Sequence, residues 1–182
     1  MDDSMGVDKL RPMPSITQIQ QMLARLVAFD TTSARSNLPL IEFVQAELEA
    51  HDIESRIMVE DGKANLHAII GPRLEGGIAL SAHVDCVPVE GQAWLADPFT
   101  LRAEGEKLIG RGATDMKGFV ACILAMLPEF TAAHLARPFH ICLTHDEETS
   151  FRGAARLMPV LGRHAPPPAF CVVGEPTNMS PV

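Results

Sequence analysis

The sequence is poor in the features that mark membrane, secreted and nucleic-acid-binding proteins. None of its apolar runs approaches the roughly 18 residues that a bilayer-spanning helix needs. The start of the chain, with Asp2, Asp3 and Asp8, has neither the basic flank nor the apolar centre of a secretory signal. No Lys and Arg cluster is dense enough to neutralise a phosphate backbone, and the net charge is -8. We therefore expect a cytoplasmic protein that binds neither nucleic acids nor membranes.

The cysteines also lack the spacing of a redox or zinc motif. The four of them are Cys86, Cys122, Cys142 and Cys171. No pair forms a C-x-x-C motif, and three lie in apolar runs where a free thiol packs as a small hydrophobic side chain. Cys86 differs from the others because it closely follows His83 and Asp85.

Length and composition predict one globular domain preceded by a short leader. The chain has 182 residues, of which 47% are hydrophobic, and this is enough for a substantial core. Residues 1–14 contain two prolines and are predicted to form a flexible leader. Residues 15–182 carry the regular patterns of helices and strands.

Those patterns alternate along the chain. Ser15 and Gln18 form a capping-box pattern at the start of a helix whose apolar residues share one face. Further helices are predicted over about 37–51, 116–130 and 151–161. Strands are predicted over 55–59, 65–71, 78–85, 139–144 and 169–174, with a short pair at 100–102 and 107–109. The alternation predicts an α/β fold with a mostly parallel mixed sheet flanked by helices.

Four short segments place an acid or an imidazole after an apolar run. They are Ser81–Asp85, Gly112–Gly118, His145–Glu148 and Gly174–Pro176. In open α/β sheets, ligands bind beyond the carboxyl ends of the strands, where several of these residues are predicted to lie. Together, the segments are typical of a two-metal hydrolytic site.

His83 and Asp85 are two residues apart and therefore share one face of a strand. A lone histidine at a strand end is more often structural than functional. Here the Asp85 carboxylate can accept one imidazole N–H and direct the other nitrogen to a metal. The pair is therefore a candidate ligand with its orienting partner.

The remaining acids each have a structural alternative. Asp115 lies between a glycine-rich loop and a helix, where it can cap the helix or bridge two cations. Glu147 and Glu148 can form a solvated turn; alternatively, because adjacent side chains point in different directions, one can bind metal while the other acts as a base. Glu175 follows an apolar strand that Pro176 ends.

The motifs and their surroundings are similar to those of a known family. The matching strings are Ala82–Val89, Gly91–Trp94, Asp97–Phe99, Gly110–Gly112, Asp115–Phe119 and Val173–Met179. They resemble the M20 family of metallopeptidases and deacylases, and most closely its acetylornithine deacetylase subfamily. The resemblance covers about residues 15–180 and implies a zinc-exopeptidase-like catalytic domain.

This resemblance implies a metal ligand set. His83 and Glu175 would bind one Zn²⁺, Glu148 would bind a second, and Asp115 would bridge the two. Co²⁺ or Mn²⁺ would be able to substitute because the ligands are imidazole and carboxylate groups. The resemblance also implies a cis peptide bond between Asp115 and Met116.

The same resemblance implies a reaction. Glu147 would be the general acid/base, and Asp85 would orient His83. The substrate would be a small N-acylated amino acid, first of all N2-acetylornithine of arginine biosynthesis, cleaved to ornithine and acetate. Succinyl-diaminopimelate desuccinylase, or a dipeptidase or carboxypeptidase of the family, is the alternative within this class. A non-catalytic binding module is the alternative from a different class.

The chain departs from the family in length. Full-length members carry a lid domain, through which they would form homodimers, and a C-terminal part that supplies a last histidine to the second metal. The resemblance therefore implies that residues 15–182 are the N-terminal portion of the catalytic domain. His145 is expected to be structural and not a substitute ligand. We expect this chain alone to be weakly active or inactive and to expose apolar surface.

Overall fold

A computed structural model describes residues 13–182 of the chain. The first 12 residues of the predicted leader lie outside the described part, and its last two, Met13 and Pro14, have no regular structure. The elements, in order, are α1 (Ile16–Val27), α2 (Leu38–Glu49), β1 (Ser55–Glu60), β2 (Lys63–Ile70), β3 (Ile78–His83), β4 (Arg102–Glu104), β5 (Lys107–Ile109), α3 (Gly118–Ala125), α4 (Leu127–Ala132), β6 (Phe139–Thr144), α5 (Arg152–His164) and β7 (Phe170–Val173).

Five strands form the main sheet, in the order β1-β2-β6-β3-β7. The pairs β1/β2 and β2/β6 are antiparallel, whereas β3 is parallel to both β6 and β7. Strands β4 and β5 form a separate hairpin. The predicted mixed sheet flanked by helices is confirmed, but it is not mostly parallel, because two of its four strand pairings are parallel and two are antiparallel. Its parallel part consists of β6, β3 and β7. The carboxyl ends of these three strands therefore meet at one edge.

The main core lies between one face of the sheet and the helices α1, α2 and α3. Leu66 of β2 and Leu143 of β6 are directly paired and fully buried in it, together with Leu26 of α1 and Ile41 of α2. The opposite face is covered by α5, where Leu157 packs on Ala79 and Cys142. Among residues 13–182, the longest helix is α5, with 13 residues. No described helix is long and apolar enough to cross a bilayer.

Local sequence signals explain several element boundaries. The capping box at α1 is formed, with the Ser15 hydroxyl accepting from the Gln18 N–H at 3.2 Å. Asp61 and Gly62 both have positive φ in the tight turn between β1 and β2, as the Asp-Gly pair favours. The predicted helix 116–130 is divided into α3 and α4. Pro128 lies in the first turn of α4, where its missing N–H removes a hydrogen bond of a continuous helix.

Strand β3 ends at His83 and not at Asp85, because its partner β6 ends at Thr144, directly opposite His83. The chain after His83 pairs instead with the loop after α1. The Cys86 N–H donates to the Thr31 carbonyl at 3.1 Å, and the Ser33 N–H donates to the Cys86 carbonyl at 3.0 Å. This pairing brings the loop that contains Ser33 to the edge where the candidate residues lie.

Strand β7 has apolar side chains on both faces, although it lies at the edge of the sheet. Phe170, Val172 and Val173 are exposed by 71%, 47% and 56%, respectively. The expected exposed apolar surface is therefore present at β7. Of the three cysteines expected to pack in apolar runs, Cys142 is buried, whereas Cys122 and Cys171 are exposed, so the expectation was wrong for these two. Cys86 is buried as well.

Candidate metal centre

The candidate residues gather at the shared carboxyl edge of β6, β3 and β7. His83 is the last residue of β3, Glu147 and Glu148 follow β6, and Glu175 follows β7. Asp115 reaches the same edge from the irregular turn before α3. Parallel pairing brings the strand ends together in space although they are far apart in sequence.

Three of these side chains form a group that can hold a cation. The His83 Nε2 atom lies 2.8 Å from Asp115 Oδ1 and 3.7 Å from Glu175 Oε1. One ligand atom from each of the three residues lies within 4.8 Å of the others. One imidazole nitrogen and two carboxylates form a donor set that fits a divalent cation such as Zn²⁺.

The two adjacent glutamates occupy different positions at this group. Glu147 Oε2 lies 4.0 Å from His83 Nε2. Glu148 lies outside the three-residue group formed by the described side chains. It lines a cavity of about 290 Å³ with Asp115, on the side of the Gly110–Gly112 loop. The structure thus separates the two acids, as expected for neighbours that point in different directions.

Asp85 contacts both His83 and the glutamate turn. Its backbone carbonyl lies 2.9 Å from His83 Nδ1, whereas its carboxylate is 3.5 Å from that atom. The carboxylate accepts the backbone N–H groups of Glu147 and Glu148 at 3.1 and 3.3 Å, and the Ser33 hydroxyl at 2.8 Å. In neutral His83, an Nδ1–H donated to the carbonyl leaves Nε2 free to bind metal. The main chain of Asp85 therefore makes the closest orienting contact.

A sharp turn before α3 presents Asp115. Gly112 has φ of +74°, a conformation that glycine adopts without a steric penalty. The Asp115–Met116 peptide bond is cis, as the resemblance implied. Met116 is fully buried, and its sulfur accepts the His83 backbone N–H at 3.3 Å. The turn is therefore attached to the backbone of His83, the last residue of β3.

Glu175 depends on a close approach between β7 and α3. A Cβ atom at Gly174 would lie 2.1 Å from Cγ of Phe119, so the backbone can occupy this place only with glycine. The next residue, Glu175, then faces His83. In the Gly-Glu-Pro motif, the first residue is therefore glycine because of the close contact with Phe119, and the second residue belongs to the site.

The charges of His83 and Asp85 stabilise each other. Burial opposes the protonated imidazole, but hydrogen bonds with Asp85 and Asp115 raise the pKa of His83 to about 9. Burial likewise opposes the Asp85 carboxylate, yet the hydrogen bonds from His83, Ser33 and the Glu147 amide lower its pKa below the usual range. With a pKa of about 9, His83 would be protonated at neutral pH and would place a positive charge among these carboxylates.

The outer carboxylates are crowded. Burial and the nearby charge of Asp115 raise the pKa of Glu148. Burial also raises the pKa of Glu175; the positive charge of His83 opposes this effect and the negative charge of Asp115 adds to it. Carboxylates that raise one another's pKa are stabilised by a bound cation, so the electrostatics of the site also favour metal binding.

Two residues of this region were missed in the sequence. Ser33 binds the Asp85 carboxylate, and Lys63 at the start of β2 forms an ion pair with Asp146. The hydroxyl-rich run Thr31–Ser33, placed directly after a helix, was an available signal for a polar role. Lys63 had none, because its contact with Asp146 spans 83 residues.

His145 and the long loop after β3 complete the surroundings. His145 is buried, and its backbone N–H donates to Asn65 Oδ1 at 3.3 Å. It adds no atom to the metal-ligand group formed by the described residues. Arg111, which lines the cavity beside Asp115, donates to the Gln92 side chain and lies 5.2 Å from the centre of the Trp94 ring. These contacts join the long loop after β3 to the margin of the cavity.

Known proteins are similar to this chain in sequence and in fold. Residues 79–182 match Peptidase family M20/M25/M40. Acetylornithine deacetylase of Myxococcus xanthus is 40% identical over 178 residues, which are 92% of this chain and 44% of that protein. Acetylornithine deacetylase of Photorhabdus laumondii is 36% identical over 174 residues, or 93% of this chain and 44% of that protein. The chain thus spans less than half the length of these curated relatives.

Solved structures with the same fold have lower identity. Human carnosine dipeptidase 1 aligns with a TM-score of 0.73 and 20% identity over 86% of this chain and 38% of that one. The M20 family metallo-carboxypeptidase Sso-CP2 of Sulfolobus solfataricus aligns with a TM-score of 0.76 and 15% identity over 86% and 37%. At such identities, the likeness describes the fold and not the substrate.

Proposed function

Because this chain belongs to peptidase family M20/M25/M40, we propose that it forms the metal-binding part of an amide hydrolase that removes the acetyl group from N2-acetylornithine. The products would be ornithine and acetate. The reaction would be a step of arginine biosynthesis in the cytoplasm. The relatives named acetylornithine deacetylase, at 36–40% identity, support this substrate. The dipeptidase and carboxypeptidase structures are below 25% identity, so they do not favour a peptide substrate.

The observation that carries the proposal is the convergence of His83, Asp115 and Glu175 within 4.8 Å. An imidazole and two carboxylates at this spacing suit Zn²⁺, and Co²⁺ or Mn²⁺ would fit similar donors. Glu148 and Asp115, which line the same cavity, would help to hold a second cation. A pair of divalent cations supplies Lewis-acid polarisation of the amide oxygen and acidifies the attacking water.

The residues of this chain would then handle the proton. Glu147 lies 4.0 Å from His83 Nε2, at the margin of the donor group. From there it would take a proton from the attacking water and deliver it to the departing amine of ornithine. Asp85 would keep both partners in place, because it contacts His83 Nδ1 and the backbone N–H of Glu147.

The extent of the proposed domain follows the same comparison. We propose that residues 15–182 are the N-terminal portion of the catalytic domain; in support, 92% of this chain aligns with only 44% of the acetylornithine deacetylase of Myxococcus xanthus. In a full-length homologue, a further ligand of the second cation and a lid domain that forms a homodimer would lie outside this portion. Turnover by the 182-residue chain alone is therefore expected to be weak.

The proposal is tested by hydrolysis assays on the zinc-loaded chain. N2-acetylornithine is compared with N-succinyl-diaminopimelate at equal concentration, and the amino group that each hydrolysis frees is measured as the increase in primary amine over time. We expect the acetylated substrate to be preferred. A preference for the succinylated substrate would replace the proposed substrate but keep the reaction class.

Glu147→Ala is the matched variant for this assay. It should abolish residual turnover while bound zinc, measured by atomic absorption, stays unchanged. Glu90→Ala, which removes an exposed acid of the loop after β3, serves as the control and should keep the wild-type rate. Turnover that survives in Glu147→Ala would contradict the proposed role of this residue.

A further inference from the structure

We propose that Lys63 is a positioning residue for the Glu147–Glu148 turn of the metal centre. The inference rests on the proposed function, because it assumes that these two acids work at that centre. Lys63 lies on β2, outside the motifs, and belongs to none of the groups that would touch a cation or a substrate. Its role would be exerted entirely through Asp146 and the loop that contains Ser33.

The Lys63 ammonium connects two segments that border the site. It donates to a carboxylate oxygen of Asp146 and to the backbone carbonyl of Ser33. The side chains of Lys63 and Asp146 are only 21% and 10% exposed. Because this ion pair is largely buried, solvent screens it less than a surface pair, and it restrains its two partners more strongly.

Asp146 is the residue that shapes the turn after β6. Its φ is +60°, an uncommon conformation for a residue other than glycine, and its carbonyl accepts the N–H groups of Ser150 and Phe151 at 3.0 and 2.7 Å. Glu147 and Glu148 follow immediately. The side chain that Lys63 holds therefore belongs to the residue that sets the direction of the backbone into the two acids.

The second contact of Lys63 leads to the same turn from the other side. Ser33, whose carbonyl accepts from Lys63, donates its hydroxyl to the Asp85 carboxylate at 2.8 Å. That carboxylate in turn accepts the N–H groups of Glu147 and Glu148. Lys63 therefore contacts both segments that hold the turn. One is Asp146, directly before the two acids, and the other is the loop of Ser33, which binds the Asp85 carboxylate that accepts their backbone N–H groups.

The deciding experiment is amide hydrogen exchange by NMR on the metal-free chain. In Lys63→Met, which keeps the aliphatic stem, the amides of Glu147 and Glu148 should exchange about tenfold faster, since local opening governs their protection. Amides in the middle of β6 should be unchanged. Lys63→Arg should restore protection, because it retains a cation of similar reach.

Two further variants separate positioning from general stability. Arg152→Met removes the exposed ion pairs with Glu60 and Asp61 at the neighbouring hairpin and should leave the turn unaffected. The double variant Lys63→Met with Asp146→Asn leaves no unpaired buried charge, so it folds without that penalty and should still show the faster exchange. Equal acceleration in β6 and in the turn, or no acceleration at all, would overturn the inference.

Zinc affinity, measured by competition with a chromophoric chelator, provides the second readout. The binding step that is lost in Glu148→Ala should be weakened about tenfold in Lys63→Met, as for other residues that support a metal ligand. The step that depends on His83 should be unchanged. If the wild-type chain binds no zinc, the proposed function fails, whereas the exchange result still decides the role of Lys63.

Discussion

The Nε2 atom of His83 lies 2.8 Å from a carboxylate oxygen of Asp115, although 32 residues separate the two in sequence. In the metal-free chain this contact is a hydrogen bond that stabilises the imidazolium. With a cation bound, the same two atoms would face one metal. Proton and cation therefore compete for one place, and this competition determines how the chain should respond to pH and to zinc.

The metal-free chain should lose stability as the pH rises from 6.5 to 8. The pKa of His83 is about 9 in the folded chain and 6.5 without its partners, so the stabilisation is complete below pH 6.5 and is lost as pH approaches 9. Over this window we expect a decrease on the order of 1 to 2 kcal/mol in the free energy of unfolding, measured with urea. His83→Gln should show no such decrease.

The pH window of 6.5 to 8 is chosen so that the change in unfolding free energy comes mainly from His83. Burial lowers the pKa of Lys117 to about 8, so its deprotonation adds stability only as pH rises above 8. Burial also lowers the pKa of His140, whose effect is confined to pH values below 6.5. A constant or rising stability between pH 6.5 and 8 would mean that His83 is not protonated in the folded, metal-free chain.

Zinc binding at pH 7 should release about one proton per chain from His83, because a ligand imidazole must be neutral. The release can be measured with a pH indicator in weakly buffered solution. His83→Gln is the control and should release markedly less. Binding of zinc without any release of protons would mean that His83 is not a ligand.

Gly174→Ala should weaken zinc binding about tenfold, because the added Cβ would overlap the Phe119 ring and move Glu175. Gly162→Ala is the matched control, since nothing lies within 4 Å of the position of its Cβ. As Gly162 lies within α5, that control should leave zinc affinity intact and stabilise the chain by about 0.5 to 1 kcal/mol. Competition titration and urea unfolding measure the two effects.

Leu143→Ala should cost about 2 to 5 kcal/mol of unfolding free energy, because it opens a cavity in the core. Leu143 lies in the middle of the sheet and is fully buried. Val59→Ala, on the edge strand β1 where the residue is 59% exposed, should change stability by less than about 0.5 kcal/mol. Similar losses in the two variants would mean that the sheet does not carry the main core.

Sequence patterns were informative where the signal was local. The Ser15–Gln18 cap, the Asp61-Gly62 turn and the apolar strands could be predicted because each depends on neighbouring residues. The meeting of His83 with Glu175 could also be anticipated, since parallel strands bring their carboxyl ends to one edge. The cis bond after Asp115 came from resemblance alone.

Contacts that span the fold could not be predicted from such patterns. The Ser33–Asp85 hydrogen bond spans 52 residues. It exists because the loop after α1 pairs with the chain beyond β3, and no periodicity indicates that pairing. The end of β3 at His83 was missed for a similar reason, since it is set by where β6 ends and not by the sequence of β3 itself.

The Asp85 carboxylate binds main-chain N–H groups of residues 147 and 148, not their side chains. Every amino acid except proline carries such a group. These two hydrogen bonds therefore do not depend on which side chains the residues carry, so either acid can be exchanged for another coordinating or basic side chain without deleting them.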